Sequence, residues 1–280
     1  MPNSTLSGWN GAESKITRPV ILFNNPMPGN IDLSLILPAY NECATIASTI
    51  DQAFRCFQER GIHAEIIVAA DGDDGTRELV KKMGAGNPDL TAIGHVQRSG
   101  KGRGVREAVA VARGRWIGYA DADHKVPFSE YDKIHPFLLH GLEVVTGSRA
   151  LPDSEIERRQ PWYRQIGSRG FHYFMQTVVG LPGIHDTQCG FKFFQRDIAL
   201  GLFRLQKIDG YMFDVEVLAL AHRLGYRIQE VPIRWRDDGD SRLQLVAGNI
   251  RNVRDIFAIR ASLGTVKERL SASAGVVAPQ

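Results

Sequence analysis

Arg115-Trp116-Ile117-Gly118-Tyr119-Ala120-Asp121-Ala122-Asp123 reads as a short apolar strand that ends in two carboxylates one residue apart. A strand end of this kind suits a hard cation. Two Asp side chains offer oxygen ligands to Mg²⁺ or Mn²⁺, and water and the phosphate oxygens of a bound ligand complete the octahedron. Asp-x-Asp also occurs in ordinary solvated turns, so the meaning of the motif depends on what surrounds it.

Working outward, strand-like and helix-like segments alternate. Ile31 to Leu37 is apolar and is expected to end at Pro38; Cys43 to Arg60 follows with helical apolar spacing behind a cap-like Asn41. Ala64 to Ala70 repeats the strand pattern, Asp71 to Thr76 is a polar loop, and Arg77 to Met83 is a short helix. Thr91 to Val96 supplies a third strand, Gly104 to Ala112 a helix, and Trp116 to Ala120 the fourth strand. This alternation predicts an α/β fold with a mostly parallel sheet flanked by helices, whose ligand site lies beyond the carboxyl ends of the strands.

Composition is compatible with one large domain. The chain has 280 residues, 43% of them hydrophobic, enough for a substantial core. A net charge of +3 is too weak to argue for nucleic acid, though it does not oppose a diphosphate or an anionic membrane. The three cysteines, Cys43, Cys56 and Cys189, are widely spaced and form no CxxC pair, so a reducing, cytoplasmic setting is expected. No apolar run approaches the ~20 residues that span a bilayer, and the Asn-, Ser-, Pro- and Gly-rich start does not resemble a signal peptide. The expected organisation is an N-terminal extension at 1–30, a main domain at 31–242, a C-terminal amphipathic helical segment at 243–270 and a disordered tail at 271–280.

On a parallel sheet, four polar loops would meet at one edge: Pro38-Ala39-Tyr40-Asn41-Glu42, Asp71 to Thr76, Arg98 to Gly104, and Asp121-Ala122-Asp123. The first strand is not followed by GxGxxG, and Gly100-Lys101-Gly102-Arg103-Gly104 lacks Walker spacing, so two common nucleotide folds are excluded. The lysine and arginines of that loop can still contact phosphate, or simply be solvated.

Leu35-Ile36-Leu37-Pro38-Ala39-Tyr40-Asn41-Glu42, the loop at Asp74 to Thr76, Gly100-Lys101-Gly102 and Asp121-Ala122-Asp123 resemble, in order and spacing, the family 2 glycosyltransferases of the GT-A fold, a Rossmann-like nucleotide-sugar-binding architecture. The likeness continues through Gly147-Ser148-Arg149, Arg164 to Phe171, Asp186-Thr187-Gln188-Cys189-Gly190-Phe191-Lys192 and Glu230-Val231-Pro232-Ile233. The second half looks most like dolichyl-phosphate glucosyltransferases and, less closely, polyprenyl-phosphate mannosyltransferases.

That resemblance implies roles. Pro38, Ala39, Tyr40, Glu42 and Asp71 would hold the nucleobase and ribose, with Lys101, Ala122 and Arg242 also on the nucleotide-sugar side. Here a single Asp71-Gly72 stands where two aspartates are more usual, which leaves open whether Asp71 or Asp74 meets the base. Asp121 and Asp123 would bind Mg²⁺ or Mn²⁺ between the donor phosphates, and with Asp186 and Arg149 they form the implied catalytic set. Arg149, Arg164 and Ser168 would bind an acceptor phosphate, with Ser168 one helical turn after Arg164. Arg158 and Arg159 read as a solvated basic face. Asp214 and Glu216 open an apolar helix and suit its dipole; the resemblance puts them near the site without a step to perform.

Gly239-Asp240-Ser241-Arg242 resembles a mobile Gly-Ser-Lys-like loop, with an inserted Asp and with Arg for Lys. Leu243 to Leu263 mixes apolar residues with Arg251, Arg254 and Arg260, as in a helix lying on an anionic membrane or one packed on the core. The implied activity is inverting, metal-dependent transfer of glucose from UDP-glucose to a polyprenyl phosphate, peripheral on the cytosolic face of a membrane or docked to a membrane subunit. GDP-mannose as donor, a soluble acceptor, and a catalytically silent nucleotide-sugar-binding subunit are the alternatives.

Overall fold

The computed structural model describes residues 30–157, 174–236 and 247–266. Seven strands form one sheet in the order β3-β2-β1-β4-β7-β5-β8: β1 (Leu33–Tyr40), β2 (Ala64–Asp71), β3 (Leu90–Ile93), β4 (Trp116–Ala120), β5 (Val144–Ser148), β7 (Phe191–Gln195) and β8 (Ile228–Pro232). A separate parallel pair joins β6 (Glu155–Ile156) to β9 (Arg234–Trp235). The β1–β2, β1–β4, β2–β3 and β5–β8 pairs are parallel, and β7 is antiparallel to both of its neighbours.

Alternate residues of the strands feed two cores. From β1, Leu33, Leu35 and Leu37 pack with Ile46, Ile50, Ala53 and Phe57 of α1 (Ile46–Gln58), Val80 of α2 (Thr76–Gly84), and Tyr131, Ile134 and Leu138 of α4 (Tyr131–Leu139). Ile36 points the other way, with Val105, Ala108 and Val109 of α3 (Lys101–Val111), Leu202 and Phe203 of α5 (Arg196–Leu205), and the apolar residues of α6 (Phe213–Arg223). The result is a three-layer α/β/α arrangement. It agrees with the mostly parallel sheet expected from the sequence, with β7 the antiparallel exception.

The last described helix, α7 (Ala247–Gly264), belongs to the second of these cores through Ile256, Ile259 and Leu263, while Arg251, Arg254, Phe257 and Arg260 are exposed. Ile256, Ile259 and Leu263 thus pack on the protein core, one of the two settings expected for this segment. Among the described residues, no helix is long and apolar enough to cross a membrane.

Three boundaries differ from expectation for identifiable reasons. β1 runs through Pro38 to Tyr40 because it stays paired with β2 as far as Tyr40↔Asp71, whereas its ladder to β4 stops at Ile36↔Tyr119. One side of the strand is open at Pro38, where a residue without an N–H is tolerated. Asn41 is no cap; it takes a left-handed φ of 56°, which Asn allows, and turns the chain across Gly72, whose missing Cβ leaves room for the Asn41 amide. The helix accordingly starts later, at Ile46. The third change concerns Lys101 to Gly104, which is the first turn of α3 rather than a loop. Its glycines serve close packing: a Cβ on Gly102 would lie 2.6 Å from the Ile208 carbonyl oxygen and 2.6 Å from Phe213 Cβ.

Gly102→Ala is therefore expected to destabilise the fold by about 1–3 kcal/mol, the range for overfilling a tight contact, seen as a lower midpoint in urea denaturation. An unchanged midpoint would show that α3 and α6 have room to separate.

Candidate functional site

The chain passes from β1 to β2 and β3 on one side, then returns to place β4 on the other side of β1, which makes the crevice between β1 and β4 the switch point of the sheet. Tyr40, Asn41 and Glu42 leave the carboxyl end of β1, and Asp121, Ala122 and Asp123 leave that of β4. Because β5 also runs parallel to β4 across the intervening β7, Arg149 emerges from β5 at the same edge. The antiparallel β7 enters there too, since Ala120 pairs with Phe191, so residues 186–190 arrive beside Asp121.

On the β1 and β2 side, carboxylates tie loops together. Asp71 is buried; its Oδ1 accepts the His95 N–H at 3.1 Å, and its Oδ2 accepts the Ser99 N–H and hydroxyl, both at 2.7 Å. Asp74 accepts the Cys43 N–H at 3.0 Å and the Thr76 N–H and hydroxyl at 3.1 and 2.6 Å; Thr76 Oγ1 in turn accepts the Glu42 N–H at 3.0 Å. Asp74 thus joins the first two loops, and Asp71 holds the loop before α3. Glu42 accepts the Thr45 hydroxyl at 2.9 Å. Pro38 and Ala39 lie near the carboxyl end of β1, with Ala39 buried, and the exposed Tyr40 carries the Arg98 guanidinium 4.3 Å above its ring centroid. Arg98 also donates to the Tyr211 hydroxyl at 2.8 Å.

At the end of β4 each exposed carboxylate faces an ammonium group. Lys101 Nζ is 2.5 Å from Asp121 Oδ1, and Lys125 Nζ is 2.9 Å from Asp123 Oδ2. Burial alone would lower the Lys101 pKa, but Asp121 and Asp214 outweigh it and raise the value, so the amine stays charged. Ala122 is buried between the two aspartates. His124, at a left-handed φ of 57°, turns back so that its Nε2 lies 2.6 Å from Thr49 Oγ1.

The pair of carboxylates suits a hard divalent cation. Each already accepts a cationic partner, and their oxygens are of the type Mg²⁺ and Mn²⁺ prefer. Among the described residues no group of three or more His, Cys, Asp or Glu is arranged to hold a metal alone. A cation here would need oxygens from water or a bound ligand to complete its shell.

On the far side, Arg149 clamps Asp186 in a bidentate pair: Nε to Oδ2 at 2.7 Å and Nη2 to Oδ1 at 2.9 Å, with the Arg149 N–H adding 3.0 Å to Oδ2. Glu230 of β8 holds this corner from below, accepting the Asp186 N–H at 2.8 Å, the His185 N–H at 2.7 Å and the His185 ring at 2.8 Å. Trp235 closes it, its ring centroid 5.4 Å from the Arg149 guanidinium carbon.

Asp121, Asp123, Lys101, Arg149 and Asp186 thus come to one sheet edge, with Tyr40, Glu42 and Asp71 on the β1 and β2 side. Arg164, Ser168 and Arg242 lie outside the described residues, as do Arg158 and Arg159. Glu216 serves structure, accepting the Lys207 and Ile208 N–H groups at 3.0 and 2.7 Å. Cys189 is packed, with burial pushing its thiol up to about 12, in keeping with a small core residue. Lys125 belongs to none of the motifs read from sequence; Arg98 and Glu230 lie inside such motifs, Arg98 as one of the arginines able to contact phosphate, but their partners Tyr40, His185 and Asp186 are visible only in the fold. Lys192 closes the Asp186 to Lys192 motif without a role of its own, although a lysine inside Phe191-Lys192-Phe193-Phe194 is a readable signal of a buried charge.

Comparisons with known proteins bear on the family and the fold. Residues 34–203 match the sequence model of the family described as Glycosyl transferase family 2. The chain is 35% identical over 257 residues to the dolichyl-phosphate beta-glucosyltransferase of Dictyostelium discoideum, covering 86% of this chain and 78% of that one. It is 31% identical to the enzyme of the same name from Saccharomyces cerevisiae, covering 82% and 74%. Two solved structures share the GT-A fold. The mannosyl-3-phosphoglycerate synthase of Rubrobacter xylanophilus has a TM-score of 0.59 at 17% identity, over 89% of this chain and 77% of that one. The glucosyl-3-phosphoglycerate synthase of Mycobacterium tuberculosis, solved with Mn²⁺, UDP and phosphoglyceric acid, has 0.58 at 20%, over 84% and 78%.

The Arg149–Asp186 pair has a consequence in acid. Burial would raise the Asp186 pKa, but Arg149 overrides it and holds the carboxyl at about 2, below its ordinary 3.8. A depressed folded-state value stabilises the protein above 3.8, and the gain is lost as pH falls toward 2. Arg149→Ala should cost about 3 kcal/mol at neutral pH, the low end for a broken buried pair, because the Arg149 side chain is 32% exposed. It should also abolish that acid-induced loss. Chemical denaturation at several pH values checks both, and parallel wild-type and variant profiles would refute the pairing.

Proposed function

This chain belongs to glycosyl transferase family 2 and is a glycosyltransferase, and from that premise we propose that it transfers glucose from UDP-glucose to a polyprenyl phosphate of the dolichyl type. The observation that carries the reading is the meeting, at one sheet edge, of the Lys101, Asp121 and Asp123 cluster with the Arg149–Asp186 pair. One group suits a nucleoside diphosphate and the other a second phosphate. The names of the related dolichyl-phosphate beta-glucosyltransferases supply the sugar and the lipid class.

In this reading the nucleotide lies across the ends of β1 and β2, with its base near Tyr40 and its ribose near the loops tied by Asp71 and Asp74. Pro38, Ala39 and Glu42 shape that wall, and Lys101 and Ala122 flank the diphosphate. Asp121 and Asp123 would hold Mg²⁺ or Mn²⁺, which when bound supplies Lewis-acid stabilisation to the departing diphosphate. Lys101, paired with Asp121, is assigned to neutralise charge on the same leaving group. Arg149, with Arg164 and Ser168 from the segment outside the described residues, is assigned to the acceptor phosphate. Arg242 is assigned to the donor diphosphate.

A phosphate monoester is already anionic at neutral pH, so the acceptor needs orientation more than a strong general base. Asp186 fixes the Arg149 guanidinium in a forked geometry, which orients that phosphate. A single in-line displacement would invert the anomeric carbon, giving a β-linked product from an α-configured donor. The enzyme would act peripherally on the cytosolic face of a membrane, where the lipid phosphate is reached, alone or docked to a membrane subunit.

The test is a donor screen with UDP-glucose, UDP-galactose, UDP-N-acetylglucosamine and GDP-mannose against a short prenyl phosphate, with products identified by mass spectrometry and the anomer by NMR. Glucosyl prenyl phosphate with a β linkage, dependent on Mg²⁺ or Mn²⁺, is expected. Asp123→Ala should lower kcat about 100- to 1000-fold, the scale of losing one strong electrostatic stabiliser. Transfer to water or soluble acceptors but never to prenyl phosphate would sink the lipid assignment; a preference for GDP-mannose would replace the donor.

A further inference from the structure

Beneath Asp121, on the face of the sheet covered by α6, lies a buried polar cluster that no step above uses. Asp214, in the first turn of α6, accepts hydrogen bonds at Oδ1 from the Tyr119 hydroxyl and from Lys192 Nζ, the latter at 2.7 Å. The Lys192 side chain is 0% exposed and that of Asp214 is 4% exposed. Tyr119 and Lys192 are directly paired across β4 and β7, so the two donors reach one carboxylate from neighbouring strands.

Lys192 is also the start of a path to Asp121. Its Nζ donates to the Cys189 carbonyl at 2.5 Å, and the carbonyl of the next residue, Gly190, accepts the Asp121 N–H at 3.0 Å. Any Cβ on Gly190 would collide with the Asp121 carboxylate, so this glycine backbone forms the wall against which that carboxylate rests. Asp214 adds its negative charge to that of Asp121 around Lys101.

We propose that the Tyr119–Asp214–Lys192 cluster is a positioning device: it fixes the Cys189–Gly190 backbone and thereby sets the place of Asp121 for its cation and the donor diphosphate. It deepens the proposed function and rests on it for the identity of the ligand. A buried ion pair is weak evidence for stability, because well-packed apolar residues often serve as well or better. What an apolar replacement cannot supply is the bond to the Cys189 carbonyl. Asp214 and Lys192 are positioning residues, since neither is assigned contact with substrate.

The experiment replaces the cluster as a unit, Tyr119→Phe, Lys192→Met and Asp214→Leu together, with Asp214→Asn alone carrying the same readouts should the triple variant fail to fold. The first readout is independent of metal: hydrogen exchange of the Asp121 amide in the free protein, followed by NMR. The second is the affinity for UDP with and without Mn²⁺, by calorimetry. In a variant whose melting temperature stays within a few degrees of wild type, the Asp121 amide should exchange at least tenfold faster. Mn²⁺-dependent UDP affinity should fall at least tenfold, with the donor KM rising accordingly.

Unchanged exchange of the Asp121 amide in a folded variant overturns the positioning role, whatever the binding data show. Faster exchange with unchanged Mn²⁺-dependent affinity also overturns it, by showing that the site tolerates the movement. Wild type that binds UDP without any response to Mn²⁺ would instead overturn the metal assignment, and amide exchange together with metal-free UDP affinity would then decide the positioning claim.

Discussion

The antiparallel pairing of β7 with β4 is the constraint on which the rest of the site depends. In a purely parallel sheet every strand arrives at the site by its carboxyl end. One reversed strand, inserted between β4 and β5, lets a loop enter by its amino end instead. That reversal delivers Asp186 to Arg149, Gly190 to Asp121 and Lys192 to the space below. A register slip of one residue would turn Lys192 to the opposite face of the sheet and bring a phenylalanine in its place.

Around this pairing the molecule places ionised groups in matched sets at different depths. Lys101 with Asp121 and Lys125 with Asp123 are partly open to solvent. Arg149 with Asp186 is mostly covered, and Lys192 with Asp214 is sealed. Coulomb interactions strengthen as solvent is excluded, so the buried pair is the more rigid and the exposed ones the more readily exchanged. Such a gradient suits a site that must bind charged ligands without losing its shape.

Much of this was legible along the chain. The strand ending at Ala120, the α/β alternation and the order of the polar loops came from apolar periodicity, which depends only on which residues must be buried. Boundaries at Pro38, Asn41 and Lys101 differ between sequence pattern and fold because each residue's local preference is overridden: by an unpaired strand side, by tolerance of a left-handed turn, and by close packing against α6. Glycines around Lys101 look like a flexible phosphate loop in sequence, whereas Gly102 meets Ile208 and Phe213.

The sequence alone determined the layered α/β architecture, the family and the carboxylates at the end of β4, since these follow from periodicity and from short motifs of fixed spacing. Only the tertiary structure decided which charges meet. Asp186 and Arg149 are 37 positions apart in the chain, and Asp214 lies 22 positions from Lys192. Such pairings follow from strand order and direction, which no local pattern encodes. In sequence Asp214 reads as a residue complementing the dipole of α6; in the fold it anchors the lysine that braces the backbone beside Asp121.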